Sequence, residues 1–378
     1  MATPDHREEP SAPVQLVSQP AVLEDLLSEL VWPKLLRAGG LALRPERVGF
    51  GLAIVVLVGL IERIGRLWHD VGEGQEYVGF LSAALGNMEY AFERTMVSSV
   101  WEWLYVGPVT MFAGLMNAPR LWWEQYPVSV FVLGLPCLWV WVVFGGAIAR
   151  SAMSEVSLSR VPAWPRVLGD ALRRWASLFG VMLVPLVGVG FIWLVLAVCG
   201  LLLHVPVLDV VGTAVFGLGL LLSLLATLVL IAYALGSWML VPSVMAEGTD
   251  ALDGVQRGIA YVWGRPLRTV LYLAVLVVAG MVVIGVFGWV ADRTLAFAEW
   301  GVGEWAPEGE GAVFGYAQEG TALAARGVLD FWETVVSLLV GAYAVSYVHT
   351  AGAVLYLCLR RVCDGQEIAE LWTPGGEG

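Results

Sequence analysis

Tyr343-Ala-Val-Ser-Tyr-Val-His-Thr350 places a histidine among hydroxyls inside a long apolar segment. At about 100° per residue, Tyr343, Ser346, Tyr347, His349 and Thr350 fall within an arc of about 160° of a helix. An ionisable side chain at membrane depth is a functional candidate, and an imidazole there could switch protonation or hold a ligand. Ser223, Thr227, Tyr233 and Ser237 form a second polar stripe on another apolar segment. Facing one another, the two stripes would line a hydrated path. The same spacing also serves interhelical hydrogen bonds and close packing, with Ala342, Ser346 and Thr350 as a small-xxx-small series. Neither stripe has an acid at its centre to complete a proton relay.

Other chemistry finds less support. His204 and Asp209 stand close together in one turn, and His69 and Asp70 follow another apolar segment. They offer ligands for a divalent ion, but polar residues are what any turn between spans contains, and no metal is expected. His349 stands alone in the apolar segments, which excludes bis-histidine haem ligation. Cys137, Cys199, Cys358 and Cys363 show no metal or redox spacing. No HExxH, GxSxG, Walker loop or dinucleotide fingerprint occurs. The expectation is no catalytic residue, no cofactor and no enzyme activity.

The elements that carry these residues are membrane spans. The chain has 378 residues, of which 58% are hydrophobic and 14% charged, and its mean hydropathy is +0.75. Between Ala176 and Ala246 the only Asp, Glu, Lys, Arg or His residues are His204 and Asp209. A bilayer core of ~30 Å takes ~20 apolar helical residues, so this stretch reads as two spans joined by a turn. The predicted fold is all-α and polytopic, with six transmembrane helices and amphipathic surface helices. The spans are placed at 48–61, 128–149 (kinked at Pro136), 176–203, 210–235, 266–291 and 331–359. The net charge of −12 argues against a nucleic-acid partner. The eighteen Trp, many near span ends, fit interfacial aromatic belts.

Around the 48–359 membrane domain, residues 1–20 read as a disordered tail without a signal peptide's apolar core. Residues 21–47 read as amphipathic helices on the cytoplasmic surface, Gly236 to Ala246 as an exit from the fourth span, and Asp250 to Val262 as another surface helix. Residues 360–378 form a second tail. An outer insert, 69–127, carries Tyr77, Leu81, Leu85, Met88, Phe92, Met96, Val100 and Leu104 at helical spacing. Its face of Tyr77, Leu81, Leu85 and Phe92 is a candidate partner surface. An acidic loop, 292–330, follows the fifth span. The outer segments hold about seventeen Asp and Glu, a surface for cations or simply a solvated one.

With the N-terminus inside, fifteen of the twenty-one Lys and Arg residues are cytoplasmic, so the positive-inside rule puts both termini there. Arg44-Pro-x-Arg47 and Arg265-Pro-x-Arg268 introduce the first and fifth spans, and Arg173-Arg174 the third. Surface helix, Arg-flanked span and return span thus recur three times. Any inward-anchored hairpin would share some of these features.

Two stretches carry a resemblance. Leu240-Val-Pro-Ser-Val-Met-Ala-Glu-Gly-Thr-Asp-Ala-Leu-Asp-Gly-Val is followed by Tyr261-Val-Trp-Gly-Arg-Pro, and Leu355-Tyr-Leu-Cys-Leu-Arg-Arg-Val-Cys-Asp-Gly lies near the end. They resemble uncharacterised six-span bacterial membrane proteins that look related to the membrane domain of glycerophosphodiester phosphodiesterases. The resemblance covers about the last two-thirds of the chain and implies the same topology, in a bacterial inner membrane, without the phosphodiesterase catalytic domain. It implies structural roles for Glu247, Gly248, Asp364 and Gly365, with Glu247 capping the next helix and Gly248 making a turn. The function expected is a structural or assembly subunit binding membrane lipids and other membrane proteins or itself. A transporter or channel with a path between the fourth and sixth spans is the alternative.

Overall fold

A computed structural model describes residues 32–70, 127–202, 204, 208–305, 320–366 and 371–372. The described helices belong to one compact unit. In chain order they are α1 (Trp32–Ala42), α2 (Pro45–Asp70), α3 (Pro127–Val132), α4 (Gly134–Leu158), α5 (Trp164–Arg173), α6 (Trp175–Leu202), α7 (Leu208–Glu247), α8 (Ala251–Gly264), α9 (Pro266–Gly303) and α10 (Gly320–Asp364). Among the described residues there is no strand. Six helices, α2, α4, α6, α7, α9 and α10, are long and apolar enough to cross a membrane. The chain is an all-α, multi-pass membrane protein.

Three prolines set local detail. Pro136 lacks an N–H, and its ring crowds the carbonyl four residues back, that of Val132; the helix breaks there, between α3 and α4. Pro242 lies inside α7, which runs on to Glu247 instead of ending at residue 235 as the sequence suggested. Burial of Met239 to Ala246 on neighbouring helices holds that last stretch helical. Pro185 likewise lies inside α6. Helix also continues beyond the expected outer limits, to Gly303 in α9 and from Gly320 in α10. A local pair supports the extension of α10: Arg326 with Asp330 at 3.0 Å, an i,i+4 bridge. Residues 306–319, most of the outer insert and the 1–20 tail lie outside the described residues.

The helices fall into three units of one order: a short helix, an entering helix and a return helix. They are α1–α2–α4, α5–α6–α7 and α8–α9–α10, with α3 ahead of α4. The return helices α4, α7 and α10 pack on one another in all three pairs. Each entering helix packs on its own return helix and on that of the preceding unit, so α2 touches α4 and α10, α6 touches α7 and α4, and α9 touches α10 and, sparingly, α7. The short helices α1, α5 and α8 likewise lie on helices of the preceding unit. Left-handed backbone among the described residues occurs only at Ser159 (φ 51°), Gly248 (φ 68°) and Gly365 (φ 67°). These are the residues that end the three return helices, the usual helix-terminating conformation.

Close backbone approach fixes the core. A Cβ on Gly51 of α2 would stand 2.1 Å from the carbonyl oxygen of Ala342 in α10, and one on Gly352 of α10 would stand 2.2 Å from the Trp238 carbonyl oxygen in α7. The second contact follows from Pro242: the Trp238 carbonyl is the group that an N–H at position 242 would have paired. Small residues at such crossings are how membrane helices associate where lipid offers no hydrophobic drive. By contrast Phe191, Trp193, Phe216, Leu220, Leu221 and Leu224, at the far ends of α6 and α7, are exposed. That apolar surface belongs to lipid or to a partner.

Gly51→Ala should therefore lower the thermal stability of the purified protein by about 1–3 kcal/mol, the usual cost of overpacking. Gly49→Ala in the same helix meets nothing within 4 Å and should be neutral or stabilising by up to about 1 kcal/mol. Thermal unfolding in detergent micelles distinguishes the two.

Candidate functional site

The polar stripe of α10 is buried where α1 ends. Gly39 of α1 lies beside Val283 and the Tyr343 hydroxyl, and Val283 is about 25 Å along α9 from Pro266 at 1.5 Å per residue. The last carbonyls of a helix have no partner within it, and lipid supplies none. The structure satisfies them one by one. Tyr343 Oη donates to the Gly39 carbonyl at 3.1 Å, and Ser346 Oγ to the Ala42 carbonyl at 2.8 Å. Arg47 Nη1 donates to Leu41 at 2.6 Å, and the Leu43 N–H to Gly40 at 3.3 Å. Tyr343 and Ser346 are thus the C-cap of α1. On the neighbouring face, Tyr347 Oη donates to the Leu276 carbonyl of α9 at 2.6 Å, over Gly280, where a Cβ would collide with its ring.

His349 and Thr350 are different. The imidazole lies against Gly145 of α4, where a Cβ would come within 2.1 Å of Cε1, and 4.6 Å from the Trp141 ring. His349 Nε2 and Thr350 Oγ1 are buried with no hydrogen-bond partner among the described residues. The second stripe does not join them. Thr227 is exposed and its hydroxyl bonds to the Ser223 carbonyl of its own helix at 2.8 Å. Ser237 bonds to Ala234 at 3.1 Å, and Tyr233 reaches Met182 Sδ of α6 at 3.7 Å.

Sequence reading missed a second cluster, at the arginine-rich ends of the return helices. Arg47, fully buried, donates to Ser151 Oγ at 3.1 Å, and Glu155 accepts from both Arg47 and Arg44 at 2.6 Å. Arg150 Nη1 donates to the Met245 carbonyl at 3.1 Å and Nη2 to the Trp372 carbonyl at 2.5 Å. Arg174 donates to the Gly248 carbonyl and stacks on the Trp372 ring, 4.1 Å from its centroid. Burial lowers the Arg174 pKa, against the pull of nearby Asp170. These contacts close the end of α7. Arg265 and Arg268 lie near Cys363 at the end of α10. In each unit, then, arginine at the junction before the entering helix sits at the end of that unit's return helix.

Glu247 joins the second and third units. Its carboxylate meets Arg360 at 2.8 Å, Arg257 at 3.6 Å and the Tyr356 hydroxyl at 3.0 Å. It does not cap α8; Asp250 does, accepting from the Asp253 N–H at 3.0 Å. Gly248 and Gly365 make left-handed turns, and Asp364 accepts from Tyr261. Burial raises the Tyr261 pKa, and the bond to Asp364 adds to it. A visible signal for this cluster existed in the sequence, namely ionisable residues at the margins of apolar segments.

The remaining candidates stay apart. His204 is exposed, and no group of three metal-binding residues is present among the described residues. The side chains of His69, Asp70 and Asp209, and the candidate partner face of Tyr77, Leu81, Leu85 and Phe92, lie outside the described residues.

If His349 fills space against Gly145, His349→Phe should retain or raise thermal stability, because it keeps a ring and removes an unpaired nitrogen. His349→Ala should lose about 2–4 kcal/mol by opening a cavity. The opposite order would mean that the imidazole nitrogen is engaged. Compared with family models, curated proteins and solved structures, the chain matches none.

Proposed function

We propose that this is a non-catalytic protein of the bacterial inner membrane, with both termini cytoplasmic, serving as a structural or assembly subunit. It binds other membrane proteins or organises lipid. The observation that carries this reading is the use of the α10 hydroxyls: Tyr343, Ser346 and Tyr347 are committed to backbone carbonyls of α1 and α9. Those residues brace helices. The charged side chains are committed in the same way, to helix ends and to one another. The exposed apolar walls of α6 and α7 supply surface for lipid or for a neighbouring protein.

The transporter reading keeps one observation in its favour, the buried and unpaired His349 Nε2 and Thr350 Oγ1. A path between α7 and α10 would require them to part at Gly352, where their backbones touch.

Purification from the native membrane in mild detergent, with mass spectrometry of proteins and lipids, tests the proposal. A reproducible, near-stoichiometric protein or lipid partner is expected, and His349→Phe should retain it. A lone protein whose solute flux in vesicles is abolished by His349→Phe would overturn the subunit reading.

A further inference from the structure

Around α5 the chain gathers cations and bare apolar side chains on one surface. Val167, Asp170 and Ala171 form the buried face of α5, packed on α4. Outward stand Arg166, Arg173, Trp164 and Leu172, flanked by Arg160 and Trp175, all exposed. Arg160, Arg166 and Arg173 have no ion pair among the described residues. Asp170, the acid of α5 itself, is turned inward and buried beside Arg150 and Arg174. Three uncompensated guanidiniums thus sit together on a chain whose net charge is −12.

The position of the patch is as informative as its charge. Trp175 opens α6, one of the six apolar helices, so the patch surrounds the entry of a span. There Trp rings favour the headgroup level, and long Arg side chains reach from an apolar surface to polar headgroups. A helix with Trp and Leu beside Arg suits an interface carrying negative charge.

We propose that the surface formed by Arg160, Trp164, Arg166, Arg173 and Trp175 is a docking site for anionic phospholipid headgroups of the membrane the protein spans. It rests on the membrane architecture alone and holds whether or not the chain is a subunit of a larger assembly. Each guanidinium near a charged leaflet contributes about 1 kcal/mol, a factor of about five, and three together give roughly 100-fold at most.

The full chain in mixed micelles of phosphatidylglycerol and phosphatidylcholine, read by native mass spectrometry, tests it. The wild type should retain phosphatidylglycerol in preference, and raised salt should weaken that preference. The variant Arg160→Gln/Arg166→Gln/Arg173→Gln should lose most of the preference while its thermal unfolding stays unchanged. If the triple variant does not fold, Arg173→Gln alone carries the test, with a loss of about fivefold. Equal retention of both lipids by the wild type would overturn the proposal. So would a folded triple variant that keeps the preference, or displacement of the lipid by equimolar inorganic phosphate.

Discussion

A helix whose last carbonyls are buried must find protein partners for them, and this constraint organises the molecule. α1 ends against the flank of α9 and α10, and the side chains that answer it come from α10 and from Arg47. α7 ends among other helices, and Arg150, Arg174 and the backbone N–H of Trp372 answer it. Arginine suits this work because its fork of donors can serve two acceptors at once and its charge complements a helix C-terminus. Buried guanidiniums are costly unless paired. Here Glu155 pairs Arg44 and Arg47, and Glu247 pairs Arg360 and Arg257.

The three-unit order gives these contacts a common logic. Each return helix ends at a left-handed residue and meets an arginine from the junction of its own unit. With all three return helices touching one another, their ends form a braced platform of buried charge and small residues. Away from that platform the hairpin of α6 and α7 turns apolar side chains outward. Rigidity at one level and bare apolar surface at the other are what a scaffold in a bilayer needs.

Much of this was legible beforehand. Apolar length and spacing located the six spans, and the Arg-Pro pairs marked where spans begin. Gly248 was identified as a turn residue, and Gly365 as structural, through the motifs that contain them. The interior was harder, because a hydroxyl stripe looks alike whether it lines a path or caps another helix. Tyr343 and Ser346 became intelligible only once α1, some three hundred residues earlier, was found beside them. Thr227 shares the spacing but bonds to the Ser223 carbonyl of its own helix, a difference that periodicity does not encode. The fourth span was expected to end at residue 235, but burial carries α7 through Pro242, which local propensity disfavours, to Glu247.

The most direct test of the capping account compares two pairs of conservative variants by thermal unfolding of the full protein in micelles. Tyr343→Phe/Ser346→Ala strips two hydroxyls from the carbonyls of α1, while Ser223→Ala/Thr227→Ala strips two from the other stripe. Leaving a buried carbonyl unsatisfied costs about 1–3 kcal/mol, so the first pair should be destabilised by several kcal/mol and the second by about 0.5 kcal/mol or less. Equal stability of the two double variants would contradict the account, because the α10 hydroxyls would then not be what holds α1 in place.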